Sequence, residues 1–284
     1  MPGWWPRLNA LGIVAAASLA AGCAKKEAEP VAQAGPNHVV VTAADFAFQA
    51  PDSVTAGLEM FHLVNRGPSI HQIQLVQMDS GKTLAELMAV LRNPGPPPAW
   101  MHQIGGPNAA APTGVDTAVA YVTLAAGNYA LLCFVPYSAG VPHAMRGMAR
   151  ALTVTPSAAT PAMAPHADVV IHLKDYAFTV TGNLTAGTHT IRVINDGPQP
   201  HEMLVAALAP RKKAMDLVKW VDAGMRGIPP GTPLGGTSGL DPHGRTTVTI
   251  TFAKGNYALI CGLPDARDGK EHALHGMVKD LTVD

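Results

Sequence analysis

Gly127-Asn-Tyr-Ala-Leu-Leu-Cys133 recurs with one conservative change as Gly255-Asn-Tyr-Ala-Leu-Ile-Cys261. Tyr129, Leu131 and Cys133 alternate, as do Tyr257, Leu259 and Cys261, and a period of two puts each trio on one face of a strand. Each copy runs on to a His and then a Gly-Met pair, His143 with Gly147-Met148 and His272 with Gly276-Met277. A repeat of this kind fixes the folding unit before any other reading begins.

Outward from these strands the match extends over most of the chain. A step of 130 residues carries Val39-Val40-Val41 onto Val169-Val170-Ile171, and Asp45-Phe46-Ala47-Phe48 onto Asp175-Tyr176-Ala177-Phe178. The same step carries Asn65-Arg66-Gly67-Pro68 onto Asn195-Asp196-Gly197-Pro198, His71 onto His201, and Gly105-Gly106 onto Gly235-Gly236. The boundaries expected are one unit at 38–155, a Pro- and Ala-rich linker at 156–167 and a second unit at 168–284. Within each unit, short Val-, Thr-, Phe- and Tyr-rich runs alternate with Gly, Pro and Asn, the pattern of an all-β sandwich. One stretch per unit departs from it. Leu84, Leu87, Met88 and Leu91, like Ala214, Leu217, Val218 and Val221, fall at i, i+3, i+4 and i+7, so one short helix is expected in each, before the Gly-Gly loop. Met88, Met215 and Trp220 read as packing groups of those helices.

Twenty basic side chains balance twenty acidic ones and no Lys/Arg block is present, which argues against nucleic acid as a partner. Arg7 precedes an apolar run, Leu11 to Ala21, too short to span a bilayer, and residues 1–23 read as an export signal. The end of that run, Leu19-Ala20-Ala21-Gly22-Cys23, resembles the lipobox of bacterial lipoproteins, which implies lipidation of Cys23. The alternative is a cleaved signal with Cys23 incidental. Residues 24–37, polar and without an aromatic side chain, read as a flexible tether. In an exported chain the two remaining cysteines raise the alternative of a Cys133–Cys261 disulfide, but bridging would require the same inward-facing position of both units to meet.

A thiolate, imidazoles and a thioether are soft ligands suited to copper, which in a trigonal site takes two imidazoles and a thiolate with a weak axial thioether. The donors read from the repeat are His71, Cys133, His143 and Met148 in the first unit, and His201, Cys261, His272 and Met277 in the second. In this order each unit resembles a cupredoxin, the blue copper fold. The upstream His after an Asn-x-Gly turn, and Cys, His and Met near the end of the domain, carry the resemblance. It implies two tandem Greek-key β-sandwiches, each with one mononuclear type 1 copper site. Nine and ten residues separate Cys from the second His, far more than in small cupredoxins. That long Pro-containing loop resembles the one at the type 1 site of copper nitrite reductases.

Copper oxidases and nitrite reductases of this family couple type 1 copper to a catalytic copper through a His beside the Cys. Here Leu132 and Phe134 flank one Cys, and Ile260 and Gly262 the other. The chain is accordingly expected not to be an enzyme but an envelope-anchored electron carrier. It would be exported, held to the membrane by lipid, face the periplasm or cell exterior, and exchange electrons with a redox partner protein of the envelope. The alternatives are a copper-handling lipoprotein that binds or buffers the metal without redox shuttling, and a metal-free β-sandwich serving as a binding module.

Overall fold

The computed structural model describes residues 1, 3 and 35–284, apart from 94, 113–116, 138, 139 and 161. Cys23, nearly all of the export segment and residues 24–34 lie outside the described residues. No helix among the described residues is long and apolar enough to cross a membrane. Ala34–Asp284 forms one compact unit.

In the first repeat the strands are β1 (Asn37–Ala44), β2 (Ala47–Gln49), β3 (Ser53–Thr55), β4 (Gly57–Asn65), β5 (Gln74–Met78), β6 (Met101–Gly105), β7 (Thr117–Leu124), β8 (Gly127–Leu132) and β9 (Ala149–Thr155), with helix α1 (Leu84–Leu91) after β5. The second repeat has β10 (Val169–Lys174), β11 (Ala177–Thr181), β12 (Gly187–Asn195), β13 (His201–Leu208), β14 (Gly231–Leu240), β15 (Arg245–Phe252), β16 (Gly255–Ile260) and β17 (Val278–Val283), with α2 (Ala214–Asp222) after β13. These strands form cupredoxin-like sandwiches, and both expected helices are present where the periodicity placed them.

The two sandwiches share their sheets. One sheet runs β11-β10-β12-β15-β7-β4-β1-β2 and the other β17-β16-β13-β14-β6-β5-β8-β9-β3. Across the first junction Thr247 faces Tyr121, Val248 faces Ala120 and Thr249 faces Val119. Ala120 and Val248 are equivalent positions of the repeat, so an approximate two-fold axis passes through this pair. The second junction obeys the same symmetry: Asn108 N–H donates to Gly236 O (3.2 Å) and Ser238 N–H to Gly106 O (3.0 Å). Here the repeated Gly-Gly acquires its reason. Gly106 and Gly236 sit at φ of 134° and 127°, and a Cβ on either would be driven into the carbonyl of Ile73, just ahead of β5, or of Met203 on β13.

One apolar cluster runs through both repeats, from Val39, Phe61, Leu63 and Leu131 to Val193, Val205, Leu259 and Val283. Each such fully buried side chain contributes about 2 kcal/mol of transfer free energy. β8 and β16 are buried on both faces, which explains their unbroken apolar reading. Tyr129, Leu131 and Cys133 face the shared core, while Ala130 and Leu132 pack under α1 with Leu87 and Met88. Ala258 and Ile260 pack likewise under α2 with Leu217, Met215 and Trp220. Tyr129 O–H donates to Ala125 O (3.0 Å) and Tyr257 O–H to Ala253 O (2.7 Å), pinning the entry to each Cys strand. Thr83 caps α1 through a reciprocal pair with Glu86.

Candidate metal centres

Asn65 and Asn195, fully buried, build the turns that deliver the first imidazoles. Asn65 Oδ1 accepts from Gly67 N–H (2.9 Å), and its Nδ2 donates to Ser69 O (2.7 Å) and Ala110 O (3.0 Å). Asn195 repeats the set with Gly197, Gln199 and Leu240. An Asx turn tied across to a distant strand leaves His71 and His201 little freedom.

The other donors are knitted together by backbone. Ala144 N–H donates to Cys133 O (2.8 Å), Met148 N–H to His143 O (3.1 Å), and Cys133 N–H to Met148 O (3.2 Å); Ala273, Met277 and Cys261 make the matching bonds. His143 and His272 open 3-10 turns that close on Gly147 and Gly276 at φ of 109° and 103°, and these left-handed glycines turn the chain so that Met follows at once. The long loop does not loosen the site. It folds back as a hairpin-like projection, with bridges Pro136 to Pro142 and Pro264 to Glu271, and His143 N–H returns to Val135 O (3.0 Å) as His272 N–H does to Leu263 O (2.8 Å).

His71, Cys133 and His143 thus converge, as do His201, Cys261 and His272, all six buried. In the first centre the Nδ1 atoms lie 3.2 Å apart and 3.9 and 3.5 Å from Sγ of Cys133. In the second the separations are 3.0, 3.9 and 3.3 Å. A point equidistant from the three atoms lies about 2 Å from each in both centres, the length of a metal–imidazole bond. Met148 and Met277 are fully buried in the same cluster as the cysteines. Cys133 and Cys261 are free thiols in separate centres, so no disulfide joins them.

The chemistry of the donors fits a metal. His71 Nε2 donates to Asp45 Oδ1 (3.0 Å) and His201 Nε2 to Asp175 Oδ1 (2.6 Å), which leaves each Nδ1 as a lone pair aimed inward. Burial, then the facing His143, pushes His71 down to about 4; burial, then His201, does the same to His272. The Nδ1 lone pairs of His71 and His201 thus face the second imidazole and the sulfur with no carboxylate between them, an arrangement that suits a cation. Each sulfur is also met by two backbone N–H groups, from Gln72 and Val135 at Cys133 and from Glu202 and Leu263 at Cys261. Burial pushes the Cys133 thiol up to about 12, and Cys261 is raised for the same reason, so metal entry must displace a proton from each. Two imidazoles and one thiolate in a triangle, with a Met adjoining, are a type 1-like copper set rather than a four-donor zinc set. The chain therefore has up to two copper-binding sites.

Asp45 and Asp175 were visible in the sequence as part of the repeat, but their role was not. A third group, Asp265, Asp268 and His275, also clusters, though Asp265 already accepts from Tyr176, Arg267 and Gln199. The remaining histidines mostly find local partners: His102 with Asp79 (2.9 Å), His172 with Asp196 (2.6 Å), His38 with His62 (3.3 Å). A cleft of about 1130 Å³ opens between the repeats and touches His143 on one side and Glu202 and Glu271 on the other. Glu202, whose carboxyl burial pushes up to about 7, accepts from Gly262 N–H (3.0 Å) and from Asn108 Nδ2 of the other repeat (3.2 Å).

No family model and no curated protein matches the chain. Among solved structures it is similar to the auracyanin of Roseiflexus castenholzii, at 23% identity over 40% of this chain and 94% of that one, TM-score 0.31. It is similar also to the blue copper oxidase of Nitrosomonas europaea, at 17% identity over 87% and 86%, TM-score 0.27. A third is the copper-containing nitrite reductase of Thermus scotoductus SA-01, at 12% identity over 88% and 62%, TM-score 0.25. The expectation that the chain is not an enzyme is corrected by this set, which includes an oxidase and a reductase. The residues flanking Cys133 and Cys261 bear on one wiring route only, and say nothing about chemistry elsewhere, such as the cleft between the repeats.

Proposed function

We propose that the chain is a type 1 copper protein whose two centres accept and release electrons in exchange with a redox partner of the cell envelope, and that a lipid on Cys23 holds it there. The carrying observation is the duplicated, buried triangle of two Nδ1 atoms and one Sγ. Bound copper supplies a one-electron couple, and this protein's residues hold the donors fixed while the charge changes. Asp45 and Asp175 orient one imidazole of each pair, paired N–H groups hold each sulfur, and the shared core excludes water. Tyr137 and Val141, exposed on the loop of the first centre, supply an apolar contact for a partner. The Leu11 to Cys23 segment supports export and anchoring.

Copper loading of the full chain in detergent, followed by metal analysis and optical and EPR spectra, tests the reading. Two coppers per chain with an intense thiolate-to-copper band, bleached and restored by a small redox couple, are expected. Copper bound without that band would favour metal handling, and no copper uptake would overturn the assignment. Labelled fatty acid should enter the wild-type chain and not Cys23→Ala.

A further inference from the structure

The two centres share donors but not surroundings, and the differences fall at equivalent positions of the repeat. Tyr137 in the first repeat stands where the second has Asp265, and Gln72 stands where it has Glu202. In the second centre Asp265 Oδ2 lies 3.8 Å from Nε2 of His272, with both side chains fully buried. That is too long for a hydrogen bond but close for a charge. Nε2 of His143, like that of His272, has no hydrogen-bond partner, but no carboxylate stands beside it: its ring is flanked by Phe46 (5.3 Å) and Tyr137 (5.9 Å).

The cations differ less. Arg146, exposed, lies over the Phe46 and Tyr137 rings at 4.7 and 4.9 Å, as Arg267, also exposed, lies over the Tyr176 ring at 5.6 Å. The second carries His275 at that position, and its own cation, Arg267, has a side chain 72% exposed. Solvent screens the charge of Arg267 far more than that of the enclosed Asp265. Asp45 and Asp175 face equivalent imidazoles and cancel in the comparison.

Oxidised copper carries one more positive charge than reduced copper, so a nearby anion favours the oxidised state and a nearby cation the reduced one. We infer that the second centre, His201–Cys261–His272, has the lower reduction potential, and that an electron shared by the two centres resides on the first. With copper held by His71, Cys133 and His143 and by His201, Cys261 and His272, one electron would pass from the second centre to the first, with no bond made and no proton moved. A hydrogen-bonded route joins the two: the Glu202 N–H meets Cys261 Sγ (3.4 Å), its carboxylate meets Asn108, and Ala110, two residues on, pairs with the backbone of His71. The inference rests on the copper reading above and gives it a direction.

The test uses the full chain, copper-loaded, with Cys133→Ser to leave only the second centre coloured and Cys261→Ser to leave only the first. Spectroelectrochemical titration of each band gives its potential. The first is expected to be the higher by at least a tenfold preference for the electron, about 59 mV for a one-electron couple. Asp265→Asn should raise the second centre toward the first, and Tyr137→Asp should lower the first. Asp268→Asn, on the same loop but more exposed, should shift the second centre less than Asp265→Asn. A merely structural role for Asp265 would cost copper or band intensity without moving the potential. Equal or reversed potentials with both bands intact would overturn the ordering. Absence of the band from both single-site variants would instead remove the copper reading, and the ordering with it.

Discussion

The coverings over His143 and His272 show how a duplicated backbone can be put to unequal use. Over His143 the chain stacks Phe46, Tyr137 and Arg146, an apolar and cationic cap. Over His272 it places Tyr176, Asp265 and Arg267, whose phenol, carboxylate and guanidinium bind one another. Tyr176 donates to Asp265 and Arg267 adds further bonds, which hold that carboxyl well below the usual range. The donor triangles beneath differ by no more than about 0.2 Å in any separation. Geometry follows from backbone hydrogen bonds that both repeats retain, and local charge follows from side chains that each repeat chose separately.

The sharpest break between the centres comes from their sulfurs. Cys133→Ser should abolish the thiolate-to-copper band of the first centre completely and leave the second intact, and Cys261→Ser should do the reverse. Loss of both bands from either change would mean that the sites do not bind independently, and the spectrum of each variant decides it. Next in size are the junction glycines. Gly106→Ala and Gly236→Ala force a methyl into a neighbouring carbonyl at a left-handed φ, and each should destabilise the chain by about 3 kcal/mol or more in urea unfolding. Tolerance of either would show that the junction relaxes on that side.

Smaller effects are expected from the orienting carboxylates. Asp45→Asn and Asp175→Asn should weaken copper retention about 10–100-fold against a competing chelator. The shorter contact, Asp175 to His201 at 2.6 Å against 3.0 Å, places the larger loss in the second centre. The least is the pH response of the metal-free chain. His71 and His272 titrate near 6.5 when unfolded and near 4 when folded. Between these values the unfolded chain binds protons that the folded chain does not, so stability present above about pH 6.5 is lost as pH falls toward 4. The thermal midpoint of the metal-free chain should drop across that window, and His71→Gln and His272→Gln should each flatten the drop by a similar amount.

Much of this was legible in the sequence because it is local. A period of two along Tyr129, Leu131 and Cys133 marks a strand wherever that strand lies, and a helical period marks α1 and α2. The His-to-Gly-Met spacing likewise describes one tight turn. What stayed hidden acts between segments. Asp45 reaches His71 from the turn between β1 and β2, Asp265 reaches His272 only once the loop has folded back, and the Asn108 to Glu202 contact joins different repeats. The shared sheets left no mark either, because Val119 to Leu124 alternates the same way whether its neighbour belongs to its own repeat or to the other. The long spacing from Cys to the second His likewise carries no sign of the bridges at Pro136 and Pro264 that tie the loop down.

The pairing of Ala120 with Val248 has a consequence for how this protein can change over time. Each repeat hides one strand margin in the other, so a single repeat released by cleavage or gene fission would present β7 or β15 as an open ladder ready to recruit another chain. Through that seam each metal-binding half serves as the cover of the other's open edge.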